Sequence, residues 1–133
     1  MTQEQKDLLL KDLCARLPYG IKFPITVKNP ITSEPIETTG TISDINRYGI
    51  VSFVWDYEGQ EILVKNSLHI KDVKPYLFPL SSMTMDQAQQ WHKYANDRGG
   101  LAPSTDWLNA HHFDYRGLIP MDLAIDATGL NIY

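Results

Sequence analysis

The residues best equipped for chemistry lie together in Asp106-Trp-Leu-Asn-Ala-His-His-Phe-Asp-Tyr-Arg-Gly-Leu-Ile-Pro120. Here His111, His112, Asp106, Asp114 and Arg116 are interleaved with Trp107, Phe113 and Tyr115. A histidine oriented by a carboxylate can activate water. His112 with Asp114, or His111 with Asp106 or Tyr115, would therefore give a hydrolase its general base. The nucleophile would have to come from elsewhere, and Ser81, Ser82, Ser104 and Thr105 lie outside any Gly-x-Ser-x-Gly elbow. A metal needs two or three ligands converging on one point. Adjacent histidines diverge by about 100° on a helix and oppose each other on a strand, and the chain has no His-x-x-x-His pair.

The pattern thus predicts structural roles first. One histidine is expected to be buried and hydrogen-bonded, with the other at the surface. Asp114 and Arg116 are expected to form a local ion pair around Tyr115, near a helix C-terminus. Arg116 would otherwise take a carboxylate or phosphate, but no glycine-rich cradle stands beside it. No metal and no cofactor is expected. If this segment works as a surface, its contact residues are His111, His112, Asp114 and Arg116. The predicted turns carrying Tyr48 and Tyr57 are the other candidate binding places.

The elements that must position these residues follow from periodicity. Thr2 and Gln5 have capping-box spacing, and Leu10, Leu13, Cys14 and Leu17 recur at helical intervals with Leu9 widening the face. That stripe predicts a helix ended by Pro18-Tyr-Gly20 and places Cys14 in the core. Strands are expected at 21–27, 36–45, 50–55 and 61–65, broken by turns at 46–49 and 56–60. Pro24 marks the first as an edge or bulged strand. Val51, Phe53 and Trp55 share one face, Ile50 and Val54 the other, so helices are expected to cover the second face. Segment 70–80, with two prolines, should be extended or 3₁₀. A second helix starts at Thr84, capped through Gln87, and ends at Arg98-Gly-Gly100. A third spans about 106–113 and is stopped by Arg116-Gly117. Residues 120–127 fit either a helical turn or a final strand. Trp55, Trp91 and Trp107 are expected to anchor helices onto the sheet.

These elements predict a single α+β domain over residues 1–133. It has an N-terminal helix (1–20), a small antiparallel SH3-like β-barrel or meander (21–80) and a helical C-terminal part (81–133), about three helices in all. The composition is that of a globular chain, 43% hydrophobic and 21% charged. The net charge of −4 lacks the clustered cations that sequence-independent nucleic-acid binding requires. Arg47, Lys65, Lys71 and Lys74 could still line one rim of a nucleic-acid-binding barrel. One cysteine excludes an internal disulfide and fits a reducing compartment. The polar start of the chain is unlike a secretory signal, and no apolar run approaches the roughly 18 residues of a membrane span. A cytoplasmic protein is the expectation.

Three blocks carry a resemblance: Leu8-Leu-Leu-Lys-Asp-Leu-Cys-Ala-Arg-Leu-Pro-Tyr-Gly20, Val73-Lys-Pro-Tyr-Leu-Phe-Pro-Leu-Ser-Ser-Met-Thr84 and Asp106 through Ile119. They cover about a third of the chain. In them the chain resembles a family of short uncharacterised proteins of gut Bacteroidetes, often encoded by prophages and other mobile elements. The resemblance implies a bacterial cytoplasmic or phage-related setting and transfers no catalytic residue. The resulting expectation is a non-enzymatic binding or adaptor module with a protein or peptide partner. A nucleic-acid-binding barrel and a hydrolase or metal enzyme are the alternatives, and self-association through an open sheet edge is a further candidate.

Overall fold

The computed structural model describes residues 1–97 and 103–133. Two tight turns build its central sheet. At the first, the Asn46 side chain accepts from the main-chain N–H of Tyr48 and Ile50 at 2.9 and 3.0 Å, and Gly49 turns with φ +76°. At the second, Glu58 and Gly59 both take positive φ, and the twist of such a two-residue turn matches its flanking strands. The turns join β2 (Pro35–Ile45), β3 (Ile50–Tyr57) and β4 (Gln60–His69), with β1 (Lys22–Lys28) outside β2. The sheet is antiparallel in the order β1-β2-β3-β4.

Of the two forms expected for this region, the meander is the one that forms. The sheet is open and is not a closed barrel, because β1 and β4 remain its two edges. The segment that would close a barrel is diverted. After His69 the chain makes a 3₁₀ turn (Ile70–Asp72) and enters β5 (Tyr76–Pro79). β5 pairs in parallel with β6 (Phe113–Asp114) and β7 (Ile125–Asp126). Residues 120–127 thus end in a short strand.

The register Phe23↔Gly40, Ile42↔Phe53 and Phe53↔Val64 puts these residues on one inner face. Helix α1 (Gln3–Arg16) contributes Leu9 and Leu13 to the same core. Its capping box forms as expected, Thr2 Oγ1 accepting from Gln5 N and Gln5 Oε1 from Thr2 N. Its buried face is not the expected one. Leu9, Asp12, Leu13 and Arg16 point inward, and Cys14 is exposed. The inward positions keep the i, i+3, i+4, i+7 spacing, but two of the four are charged, so an apolar count rotates the face.

A second cluster contains Trp107, Leu108 and Phe113, with Phe78, Trp91 and Tyr94 packed against it. It lies between α2 (Met85–Asp97), α3 (Pro103–Ala110) and the β5–β6 pair. Trp91 and Trp107 therefore do not tie helices to the meander; Trp55 alone of the three sits in the meander's core. Beside Val54, on the outer face, lie Asn131 and Ile132 and no helix among the described residues. Thr84 and Gln87 cap α2 reciprocally, while the expected stop at Arg98-Gly-Gly100 lies outside the described residues. α3 ends at Ala110, earlier than expected, because His112 takes a left-handed backbone (φ +64°) that no helix continues through. Among the described residues, no helix is long and apolar enough to cross a membrane.

Candidate functional site

The sheet curls enough for both of its edges to wall one groove. A cavity of about 460 Å³ lies on the inner face, lined chiefly by Ile25, Val27, Phe53, Trp55, Ile62 and Val64. Trp55 and Phe53 are buried and form the floor, while the β1 and β4 aliphatic side chains are half-buried and form the walls. A large apolar concavity with few polar groups suits an apolar ligand surface.

The two rims differ in their main chain. Ile42 N donates to Ile21 O at 2.9 Å, and the register continues that pairing through Phe23↔Gly40, Ile25↔Thr38 and Val27↔Ile36. In an antiparallel ladder the intervening residues, Lys22, Pro24, Thr26 and Lys28, turn their main chain outward. Lys22 N already donates to the Tyr133 hydroxyl at 3.0 Å, and Pro24 has no N–H. Thr26 and Lys28 keep outward-facing groups, and both border the groove. Sequence patterning missed this site because half-buried strand residues look like core residues. The available signal was Pro24, which marks an edge, beside strands with an apolar face and no further strand to cover it.

The predicted site residues are dispersed. The exposed His111 stacks on Trp107 with ring centroids 3.9 Å apart, and its Nδ1 lies 2.9 Å from Trp107 O. His112 turns elsewhere, half-buried and stacked on Tyr133 at 3.5 Å. Burial, reinforced by the positive charge of Arg16, His111 and Lys22, pushes the His112 imidazole down to about 4. The Tyr133 hydroxyl donates to Tyr76 O at 2.9 Å, and burial pushes it up to about 12, so it stays a donor. Asp106 is exposed on α3. Among the described residues, no group of three His, Cys, Asp or Glu side chains is placed to hold a metal.

The expected Asp114–Arg116 pair does not form. The two oxygens of buried Asp114 accept the N–H of Leu118 and Ile119, each at 2.9 Å, fixing the turn after β6. Arg116 instead reaches Asp12 of α1 at 3.1 Å. Asp12 also holds Arg16 at 2.8 Å, and Arg16 donates to Phe113 O at 2.6 Å. Arg116 donates to Tyr115 Oη, which donates to Asn109 Oδ1. Among the described residues Arg16 Nη1 is buried without an acceptor, its guanidinium 5.2 Å from the Tyr115 ring centre. This cluster is a clamp between α1 and the β6 region. A turn built within residues 114–119 leaves Arg116 free to take a distant carboxylate.

Tyr48 is 67% exposed, its hydroxyl accepting from Arg47 at 2.8 Å beneath that guanidinium. Tyr57 lies at the end of β3, beyond the predicted strand end, and packs edge-on against Trp55 at 5.9 Å. The expected cationic rim is partly engaged elsewhere, with Arg47 on Tyr48 and Lys74 paired with Asp122 at 2.9 Å. Comparison of the chain with protein-family models, with curated proteins and with solved structures finds no match.

Proposed function

We propose that the chain is a non-enzymatic binding module, working in a bacterial cytoplasmic or mobile-element setting, whose inner groove takes an extended apolar segment of a partner protein. The observation that carries this reading is the apolar groove between the two sheet edges. It is supported by the outward main chain of Thr26 and Lys28 at its rim. Strand addition supplies affinity through main-chain hydrogen bonds and selects alternate side chains through pockets. A segment laid beside the distal half of β1 would send every second residue toward Phe53 and Trp55. The polar outer residues of β1, Thr26 and Lys28, would leave the intervening positions permissive.

A random-peptide display library panned against the folded chain, followed by titration of the recovered peptides, tests this. The expected winners alternate apolar and polar residues, quench or shift Trp55 emission, and slow amide exchange at Thr26 and Lys28. Val64→Thr and Ile62→Thr should each weaken them by roughly 1–2 kcal/mol, while Thr41→Ser on the outer face should not. Recovery of no peptide, or of peptides indifferent to the groove substitutions, would overturn the reading.

A further inference from the structure

The second sheet edge has a different character from the first. In the β3–β4 hairpin, Tyr57 and Gln60 flank a two-residue turn and so exchange main-chain bonds, as do Trp55 with Ile62 and Phe53 with Val64. The intervening residues Glu61, Leu63 and Lys65 turn their N–H and C=O groups away from the sheet. Among the described residues these groups meet no other main chain. Their side chains stand on the outer face, and Leu63 is 50% exposed. The straight ladder is bounded by the Glu58-Gly59 turn at one end. At the other lies a bulge, where Asn66 takes φ +49° and donates to Ser52 Oγ.

Within this window the sequence Glu61-Ile62-Leu63-Val64-Lys65 is complementary to its own reverse. We infer that β4 pairs antiparallel with β4 of a second copy about a two-fold axis at Leu63, joining the two meanders into one continuous sheet. In that register Glu61 faces Lys65 of the other copy at both ends, and the two Leu63 side chains meet in the centre. Ile62 faces Val64 on the groove side. The three outward residues of each strand form three mutually bonded pairs. Opposite charges directly across a strand pair stabilise it and like charges oppose it. The Glu61 and Lys65 side chains therefore select a partner of inverted order and reject other strands, which is how charged edges limit indiscriminate pairing.

The assembly closes at two. A two-fold contact uses the same edge of both copies and so consumes it. β1 is stoppered at Lys22 by Tyr133 and at Pro24 by the missing N–H, and the short stretch at Thr26 and Lys28 that it keeps open is too different from β4 to continue the same pairing. The pairing places Ile62 and Val64 of each copy beside those of the other, so the two grooves adjoin. The inference rests on β4 alone and stands whatever occupies the groove.

Sedimentation equilibrium on the full chain, with circular dichroism to verify folding, tests it through exposed residues. The parent chain should show a concentration-dependent monomer–dimer equilibrium. Glu61→Lys and Lys65→Glu should each weaken dimerisation by on the order of tenfold or more, since both ends then carry like charges. An equimolar mixture of the two variants should dimerise again, and the double variant Glu61→Lys/Lys65→Glu should dimerise alone. Amides of Glu61, Leu63 and Lys65 should exchange more slowly as concentration rises, while those of Ile62 and Val64 are protected throughout. A chain that stays monomeric at millimolar concentration would overturn the inference. So would a dimer indifferent to the charge reversals, or a mixture no better than its components.

Discussion

His112 shows how one residue sets a pH dependence. Its ring lies on Tyr133, with Arg16 of α1, Lys22 of β1 and the adjacent His111 as nearby cations. The folded chain holds the imidazole neutral to about pH 4, whereas the unfolded chain protonates it near 6.5. Between those values the unfolded state binds more protons, so folding stability rises with pH. The contribution is complete above about 6.5 and is lost as pH falls toward 4. With half-burial and solvent screening discounted, it is on the order of 1–2 kcal/mol. Urea unfolding measured from pH 4 to 7 should show a positive slope, and His112→Asn, which tolerates the left-handed backbone, should flatten it. An unchanged slope in the variant would assign the effect to other groups. That the two histidines would part was legible from their adjacency. The expected pairing of burial with a hydrogen bond was not met, since His112 is only half-buried and the surface His111 is the one held to Trp107 O. Which partner each would find was not legible, because Tyr133 and Trp107 come to them through the fold.

At the scale of elements, Gly40 governs how closely β1, β2 and β3 approach on the inner face. Phe23 and Phe53 pair edge-to-face at 5.4 Å across it, and a methyl group there would stand 3.1 Å from both rings. Gly40→Ala should therefore destabilise the chain by about 1–3 kcal/mol, the cost of overpacking a filled core. Denaturant titration reads this, together with shifted ring resonances of Phe23 and Phe53. A neutral or stabilising result would mean that the rings yield freely. The strands were legible because Asn46–Gly49 and Glu58-Gly59 punctuate them with turn chemistry that needs no tertiary context. The inward face of α1 was hidden by Asp12 and Arg16, whose burial depends on a partner arriving from residues 113–116. The groove was hidden for the complementary reason. Whether an apolar strand face is covered depends on where the rest of the chain goes, and here β5 was diverted to β6 and β7.

At the scale of the whole molecule, two cores share one strand. β5 gives Leu77 to the meander's core and Phe78 to the cluster of Trp107 and Phe113. The Asp12 clamp is the second link, joining α1, whose leucines lie in the first core, to Phe113 and Arg116 beside the other. Asp12 is fully buried between two guanidinium groups, so Asp12→Ala leaves buried positive charge uncompensated and should cost about 3–5 kcal/mol. Its effect should also be directional. Amides of Leu108 and Asn109 in α3 should lose protection before those of Val51 and Phe53, because the meander retains its own hydrogen-bonded ladder while the second core loses its tether. Replacing both members of the inner pair, Asp12→Leu with Arg16→Met, should cost less than Asp12→Ala alone, since no unpaired charge then stays buried at α1. If both cores lost protection together in Asp12→Ala, β5 and the Asp114-held turn from Phe113 to Leu118 would suffice to couple them, and the ionic clamp would carry no special share of that coupling.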